Sequence, residues 1–300
     1  MNRRKFFANG LQLAAASALA TPDIAMAEAK VARLGGVKLK LGLNAYSFDR
    51  PLKSGEMTLE DLVIYCAQNG FDALDATGYY FPGYPKVPSD DVIRSLKKKA
   101  YLNGIAMSST GVRNDFSLAD AGKRRLEVQL VKDWIVVAAK LGAPVIRVFS
   151  GLRVPEGHTF ESVLPWMTAD FKDCADWGRQ HGVILGLQNH NDFLKTADQT
   201  IQLVNAVNSE WFGVILDIGS LRSADPYVEI EKLVPYAVSW QLKELVGIDG
   251  KEVPTDLRKV KAAIDKVGYR GYLPIETLGA GDPKEKVGKF FAQVRSVFST

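Results

Sequence analysis

The chain alternates between short apolar runs and longer stretches that place an apolar residue at every third or fourth position. Short apolar runs are typical of buried strands, and the three-to-four spacing is typical of amphipathic helices. The pattern predicts eight strands, at Lys40–Phe48, Ala73–Tyr79, Ile105–Thr110, Val145–Ser150, Ile184–His190, Val214–Asp217, Val238–Lys243 and Leu273–Glu276. It predicts eight helices, at Thr58–Asn69, Ser89–Asn103, Ala121–Leu141, Ser162–His181, Thr196–Val207, Pro226–Val234, Asp256–Val267 and Pro283–Phe298.

Residues that start and stop helices support these boundaries. Thr58, Ser89 and Thr196 open predicted helices as N-caps. A glycine, which supplies the left-handed conformation that ends a helix, follows five of them, at Gly70, Gly104, Gly142, Gly182 and Gly268. Alternating strands and helices predict an α/β protein, a single-domain (β/α)8 TIM barrel. A doubly wound open sheet is the alternative, but no glycine-rich nucleotide motif follows the first strand.

The first 27 residues carry a different pattern. A basic start with the paired arginines Arg3 and Arg4 precedes a short apolar stretch, Leu11–Ala20, and the small-residue sequence Ala25–Ala27. That order is typical of an export signal, and the twin arginines indicate the Tat route. We therefore expect residues 1–27 to be an export signal peptide, residues 28–300 to form the barrel domain, and the mature protein to be periplasmic.

Bulk composition limits the possible partners. The chain has 300 residues, 47% of them hydrophobic, and a formal net charge of +4. Lys and Arg are scattered along it, so we expect no nucleic-acid partner. No segment after the export signal is long and apolar enough to span a bilayer, so we expect no stable membrane anchoring. Cys66 and Cys174 lie on apolar helix faces, which favours buried free thiols.

Oxygen-bearing side chains stand at the ends of the last four predicted strands. They are Gln188, Asp217, Gln241 and Glu276. Because barrel active sites lie at the carboxyl ends of the strands, we expect these side chains to meet on one face. Side chains alternate along a strand, so His190 would share a face with Gln188, and Lys243 with Gln241.

This pattern resembles the xylose isomerase-like superfamily of sugar phosphate isomerases and epimerases, over essentially the whole barrel from Gly42–Ser47 to Glu276. In that family the fifth strand usually ends in Glu, often as Glu-Asn-His, and the sixth in Asp. The seventh ends in a His-x-Lys-Asp-like motif and the eighth in Glu. The Glu, Asp, His and Glu bind a divalent cation, usually Mn or Mg. The resemblance therefore implies a metal site at Gln188, Asp217, Gln241 and Glu276.

The chain departs from the family pattern at two of these four positions. Gln188 stands where Glu is usual, and Gln241 where His is usual. Amide oxygens still suit a hard cation, but the loss of one carboxylate and the imidazole weakens binding and favours Mn, Mg or Ca over Zn. A site without metal is the alternative.

The amide at position 188 also changes the expected chemistry. It cannot accept a proton at ordinary pH, so epimerisation by two opposed carboxylates is disfavoured and Glu276 remains as the base. We expect proton abstraction beside a carbonyl, with His190 or Lys243 as partner acid and a cation or Lys243 stabilising the enolate. The catalytic candidates are thus Glu276, His190 and Lys243. The substrate-binding candidates are Asn44, Tyr46, His158 and Lys243.

The leading function is an exported carbohydrate enzyme, an isomerase or a hydratase/lyase, with a sugar or keto-sugar as its substrate. The alternative is a sugar-binding barrel without catalysis that has lost its metal. A DNA-repair endonuclease would need more His and carboxylate ligands than a chain with 3 His provides. The oligomeric state is open, with a homodimer as one option.

Overall fold

The structure, a computed structural model, describes residues 31–298. Its strands are β1 (Lys38–Asn44), β2 (Ala73–Thr77), β3 (Ala106–Gly111), β4 (Val145–Val148), β5 (Ile184–Gln188), β6 (Phe212–Asp217), β7 (Ala237–Lys243), β8 (Leu245–Ile248), β9 (Lys251–Pro254) and β10 (Arg270–Glu276). Eight of them form a closed barrel in the order β1-β10-β7-β6-β5-β4-β3-β2, and neighbouring barrel strands run parallel. The predicted TIM barrel is confirmed.

Helices join successive barrel strands and cover the outside. They are α1 (Asp49–Ser54), α2 (Leu59–Asn69), α3 (Asp90–Leu102), α4 (Ala121–Leu141), α5 (Phe160–His181), α6 (Ala197–Val207), α7 (Pro226–Leu233), α8 (Leu257–Val267) and α9 (Pro283–Phe298). The predicted caps are in place: Thr58 forms a capping box with Asp61, and Ser89 and Thr196 each accept a backbone N–H of the first turn. Gly182 ends α5 with a φ of 69°.

The interior divides into an apolar layer and a polar mouth. Between barrel and helices lies a continuous core that includes Trp134, Phe171 and Trp240, all fully buried. Cys66 and Cys174 belong to this core as free thiols, as expected. At the carboxyl ends of the strands, the buried side chains are instead polar or charged. Burying such groups is costly unless they pair with one another or bind a ligand. This end of the barrel is therefore the candidate functional site.

The structure departs from the predicted elements at several places. The first strand ends at Asn44, a 3-10 turn over Ala45–Phe48 replaces its predicted second half, and helix α1, which was not predicted, follows. The second and fourth strands each end two residues before their predicted bounds, at Thr77 and Val148. The fifth ends at Gln188, so His190 lies in the following loop and the prediction that it continues the strand is wrong. The hairpin of β8 and β9 was not predicted.

Hydrogen bonds close the base of the β8–β9 hairpin. The Thr255 hydroxyl donates to the Lys243 carbonyl at 2.8 Å, and the Thr255 N–H donates to the Glu244 carbonyl at 2.9 Å. The chain thus returns to its starting point before α8 begins. The hairpin turn is tight, with positive φ at both Asp249 and Gly250.

The predicted export signal lies outside the described residues, and its assignment stays a prediction. Within residues 31–298, no helix has both the length and the hydropathy needed to span a membrane.

Candidate active site

Four predicted site residues, Gln188, Asp217, Gln241 and Glu276, lie at the carboxyl ends of neighbouring barrel strands. Asp217 of β6 pairs with Gln241 of β7, and Lys243, two residues further along β7, pairs with Glu276 of β10. Gln188 ends β5, the neighbour of β6. Gln188 and Glu276 are each 3% exposed, and Asp217 and Gln241 are fully buried, so the four lie inside the mouth of the barrel.

Asp217 is the most heavily bonded carboxylate of this group. Its Oδ2 accepts hydrogen bonds from Gln188 Nε2 at 2.6 Å and from the Ser220 hydroxyl at 2.8 Å, and its Oδ1 accepts the Gly219 N–H at 3.0 Å. Only the NH₂ end of an amide can donate to a carboxylate, so this contact fixes the orientation of Gln188. The Gln188 carbonyl oxygen is left without a protein partner.

The Lys243 ammonium lies between the two carboxylates. Its Nζ is 2.5 Å from Glu276 Oε1 and 3.5 Å from Asp217 Oδ2. Burial alone would lower the pKa of Lys243, but the carboxylates of Asp217 and Glu276 raise it well above its ordinary value. The amine is therefore charged at every physiological pH, and it neutralises part of the negative charge in the mouth.

Three buried oxygens of this group have no protein hydrogen-bond partner. They belong to Gln188 (Oε1), Gln241 (Oε1) and Glu276 (Oε2). Buried polar atoms are normally satisfied, so these oxygens indicate a ligand. Together with Asp217 they form an all-oxygen donor set, which suits Mg or Mn better than Zn. The described residues contain no group of three His, Cys, Asp or Glu side chains able to hold a metal, so a cation here would need the amide oxygens as ligands.

A second charged cluster, missed by the sequence analysis, lies on β2 and β4. Arg147 is 3% exposed and donates from Nη2 to the Tyr79 hydroxyl at 3.0 Å. Burial opposes its charge, but Tyr79, Asp75 and Glu276 more than compensate and raise the pKa of Arg147. The mouth of the barrel therefore contains two permanent cations, Arg147 and Lys243.

Asp75 is the acidic partner in this cluster. Burial raises the pKa of its carboxyl, although Arg147 acts in the opposite direction. Its Oδ2 accepts a hydrogen bond from Asn44 Nδ2 at 3.1 Å, and its Oδ1 has no partner. One sequence signal indicates the cluster: a single charged residue in each of two otherwise uncharged strands, Ala73–Thr77 and Val145–Val148.

His190 lies at the rim and is oriented by an acid. Its Nδ1 is 2.8 Å from Asp192 Oδ2, and its ring meets Phe149 edge-on at 5.5 Å. Arg113 Nη2 lies 3.6 Å from the same Asp192 oxygen. Helix α6 is capped by Thr196 and not by Asp192. Asp192 instead fixes the His190 ring, which leaves Nε2 directed away from this contact.

The mouth opens into two cavities. The smaller, of about 280 Å³, is lined by His190, Lys243 and Glu276, together with Arg222 and with Glu252 of the hairpin. The larger, of about 810 Å³, lies beside it between the turn after β1 and the start of α9, and Tyr46 lines it. The structure therefore brings all three catalytic candidates, Glu276, His190 and Lys243, to the smaller cavity.

The remaining predicted substrate-binding residues lie elsewhere. Asn44 is fully buried beneath the mouth, where it bonds Asp75 and accepts the Tyr46 N–H at 2.8 Å. His158 is exposed at the start of α5, packed edge-on against Trp166 at 5.1 Å, and it lines neither cavity. The structure thus places Asn44 as a support for Tyr46 and the Asp75 cluster, and it leaves His158 outside the site.

Comparison with known proteins identifies the family. The family model described as xylose isomerase-like TIM barrel matches residues 63–292. The chain therefore belongs to the xylose isomerase-like TIM barrel family, as its strand ends suggested. A search of curated proteins finds no match.

Solved structures with the same fold include several sugar enzymes. A D-psicose 3-epimerase studied in the presence of D-fructose has a TM-score of 0.73 and 17% identity, covering 87% of this chain and 100% of its own. A 3-keto-D-glucoside 4-epimerase from E. coli has a TM-score of 0.70 and 12% identity over 86% and 100%. The IolI protein, with a bound zinc atom, has a TM-score of 0.69 and 17% identity over 87% and 100%.

Proposed function

We propose that this chain is an exported sugar isomerase, or a hydratase/lyase, that removes a proton next to the carbonyl of a keto-sugar. The observation that carries the proposal is the environment of Glu276. Its carboxylate is buried at a cavity, with Oε1 held by Lys243 and Oε2 without a partner. A fixed carboxylate with one unpartnered oxygen is suited to act as a general base. The solved sugar epimerases of the same fold support a sugar as substrate.

The neighbouring side chains would stabilise the negative charge that develops on the substrate and return a proton to it. Lys243 would donate to the substrate oxygen that becomes negatively charged as the proton leaves. His190, oriented by Asp192, would return a proton from the rim of the same cavity. Gln188 lies near Asp217 but has no basic atom, so the mechanism uses one base, and efficient two-carboxylate 3-epimerisation is not expected.

We also propose that a divalent cation, Mn or Mg, binds at this site. Gln188, Asp217, Gln241 and Glu276 would hold it, because three of them have a buried oxygen that no protein donor satisfies. When bound, the cation supplies Lewis-acid polarisation of the substrate oxygens. The nearby Lys243 charge opposes the cation, so we expect weak binding.

Exchange of a carbon-bound proton tests the enzyme directly. In D₂O the wild type should place deuterium beside the carbonyl of a keto-sugar such as D-fructose, followed by NMR. Glu276→Gln should slow this exchange by roughly 10²–10⁴-fold, with an unchanged circular dichroism spectrum. Glu231→Gln, on the surface of α7, is the matched control.

Two results would count against the proposal. Exchange at wild-type rate in Glu276→Gln would show that another group is the base. Tight sugar binding by the wild type with no exchange on any keto-sugar would instead favour the alternative of a sugar-binding barrel without catalysis.

A further inference from the structure

The two cavities at the mouth of the barrel adjoin one another. Leu278 and Gly279 line both of them. On one side of this shared wall lie Lys243 and Glu276, where we place the chemistry. On the other side the larger cavity extends along the turn after β1, and Tyr46 contributes its wall. A ligand that crosses Leu278 would therefore occupy both spaces at once.

The shared wall is held in place by an ion pair. Glu244 Oε1 accepts the Leu278 N–H at 3.2 Å and lies 2.8 Å from Lys286 Nζ. Lys286 in turn donates to the Leu278 carbonyl. With its backbone fixed on both sides, Leu278 presents a side chain that is 43% exposed. It therefore offers apolar surface to both cavities, and such surface suits the C–H face of a sugar ring.

The chemistry of the larger cavity favours a neutral polyhydroxylated ligand. Its lining includes the carboxylates of Asp49 and Asp282 and the cations of Arg50 and Lys286, so the formal charges balance. A phosphate or carboxylate ligand would call for an excess of cations, which this cavity lacks. Tyr46 adds an aromatic ring, and apolar surface with a few polar groups is the usual composition of a small-molecule site.

The two cavities differ in volume, and each volume suits a different part of a ligand. Ligand pockets commonly measure about 300–1,000 Å³. The smaller cavity, at about 280 Å³, is just below this range, which suits a single sugar unit, and the larger, at about 810 Å³, is well within it. We propose that the larger cavity is a subsite for a second sugar unit, and that the substrate is a neutral glycoside whose keto-sugar unit reacts beside Glu276. This proposal rests on the proposed function, because it places the reacting unit in the smaller cavity.

A series of glycosylated ketoses tests the subsite. The probes are D-fructose and four disaccharides that attach a second hexose to it through different oxygens: turanose, lactulose, leucrose and isomaltulose. Calorimetric titration of the wild type should give at least one disaccharide a Kd tenfold or more below that of fructose. Tyr46→Ala should reduce this advantage about tenfold, and Tyr46→Phe, which keeps the ring, should restore most of it. Tyr101→Ala, on the 83% exposed Tyr101 of α3, is the control.

The outcomes separate the subsite from the proposed chemistry. If no disaccharide binds more tightly than fructose, or if Tyr46→Ala weakens fructose and disaccharide equally, the second subsite is overturned, whether or not deuterium exchange occurs. If a disaccharide is preferred through Tyr46 but no probe shows exchange, the subsite stands and the proposed chemistry fails.

Discussion

Gly219 lies directly against the stem of Lys243. A Cβ built at Gly219 would be 2.7 Å from Lys243 Cγ, closer than Cβ atoms approach their neighbours in proteins, and 3.1 Å from Lys243 Cδ, which is also tight. The absence of a side chain at this position thus lets the lysine reach Glu276. The same residue donates its N–H to Asp217, so it also fixes the neighbouring carboxylate.

Gly219→Ala should therefore displace the Lys243 ammonium and reduce activity without unfolding the protein. Misplacing a catalytic group by about 1 Å costs on the order of 10²-fold in rate, and forcing a methyl group into a packed site costs about 1–3 kcal/mol of stability. Steady-state kinetics and urea unfolding measure the two effects. The matched control is Gly288→Ala in α9, where a Cβ meets nothing within 4 Å. Wild-type kinetics in Gly219→Ala would contradict the assigned role of Lys243.

Lys243→Met should bind Mn²⁺ more tightly than the wild type. The substitution removes a positive charge that lies 2.5 Å from one proposed ligand and 3.5 Å from another. We expect at least a tenfold decrease in the Kd for Mn²⁺, about 1.4 kcal/mol, measured by calorimetry. Without metal the variant should lose about 3–5 kcal/mol of stability, because two buried carboxylates lose their cation.

Adding Mn²⁺ should restore much of the stability of Lys243→Met, since a ligand that binds only the folded state stabilises it. Lys266→Met, which breaks an exposed ion pair with Glu231, is the control and should change stability by at most about 1 kcal/mol. Weaker Mn²⁺ binding by Lys243→Met would mean that the lysine does not oppose the cation.

Asp75→Asn should change how stability depends on pH. Burial raises the pKa of Asp75, so this carboxyl holds its proton more tightly in the folded chain than in the unfolded one. Its contribution to stability is therefore complete below the unfolded pKa of about 3.9 and is lost as the pH rises through the folded pKa. Relative to Asp75→Asn, the wild type should lose stability across that interval, measured by urea unfolding at a series of pH values. A constant difference between the two proteins would contradict the direction of the shift.

Export can be tested apart from the barrel. We expect the periplasmic protein to begin near Glu28, and the double change Arg3→Lys and Arg4→Lys to retain the chain in the cytoplasm, because the paired arginines are the expected signal for the Tat route. Mass spectrometry of the N-terminal peptide in each fraction measures both. Periplasmic protein that still begins at Met1 would exclude cleavage near Glu28.

The barrel could be predicted because each of its units carries a local signal. Apolar strands, amphipathic helices and the glycines that end several of those helices repeat along the chain. Each of these signals lies within one segment, so it can be recognised without knowing which segments contact one another in the fold. The presence of Gln188, Asp217, Gln241 and Glu276 at one end of the barrel also followed from the sequence, since parallel strands have their carboxyl ends at the same edge.

Other parts of the site depend on contacts between distant segments. Arg147 could not be assigned from β4 alone, because its charge is supported by Asp75 of β2 and by Tyr79 in the turn after β2. The apolar run that begins at Ile184 predicts a strand as far as His190, whereas the strand ends at Gln188 and the following loop brings the imidazole to Asp192. The β8–β9 hairpin is too short to give a clear periodic pattern.

The closed base of the β8–β9 hairpin has a consequence for engineering and divergence. Because Thr255 ties the end of the hairpin back to Lys243 and Glu244, residues 245–254 leave and rejoin the barrel at one point. A longer, shorter or differently charged insert could be grafted between these anchors while Lys243 and α8 keep their positions. Since Glu252 of this segment lines the smaller cavity, exchange of this segment alone would alter the wall against which the proposed substrate binds and leave Lys243 and Glu276 in place.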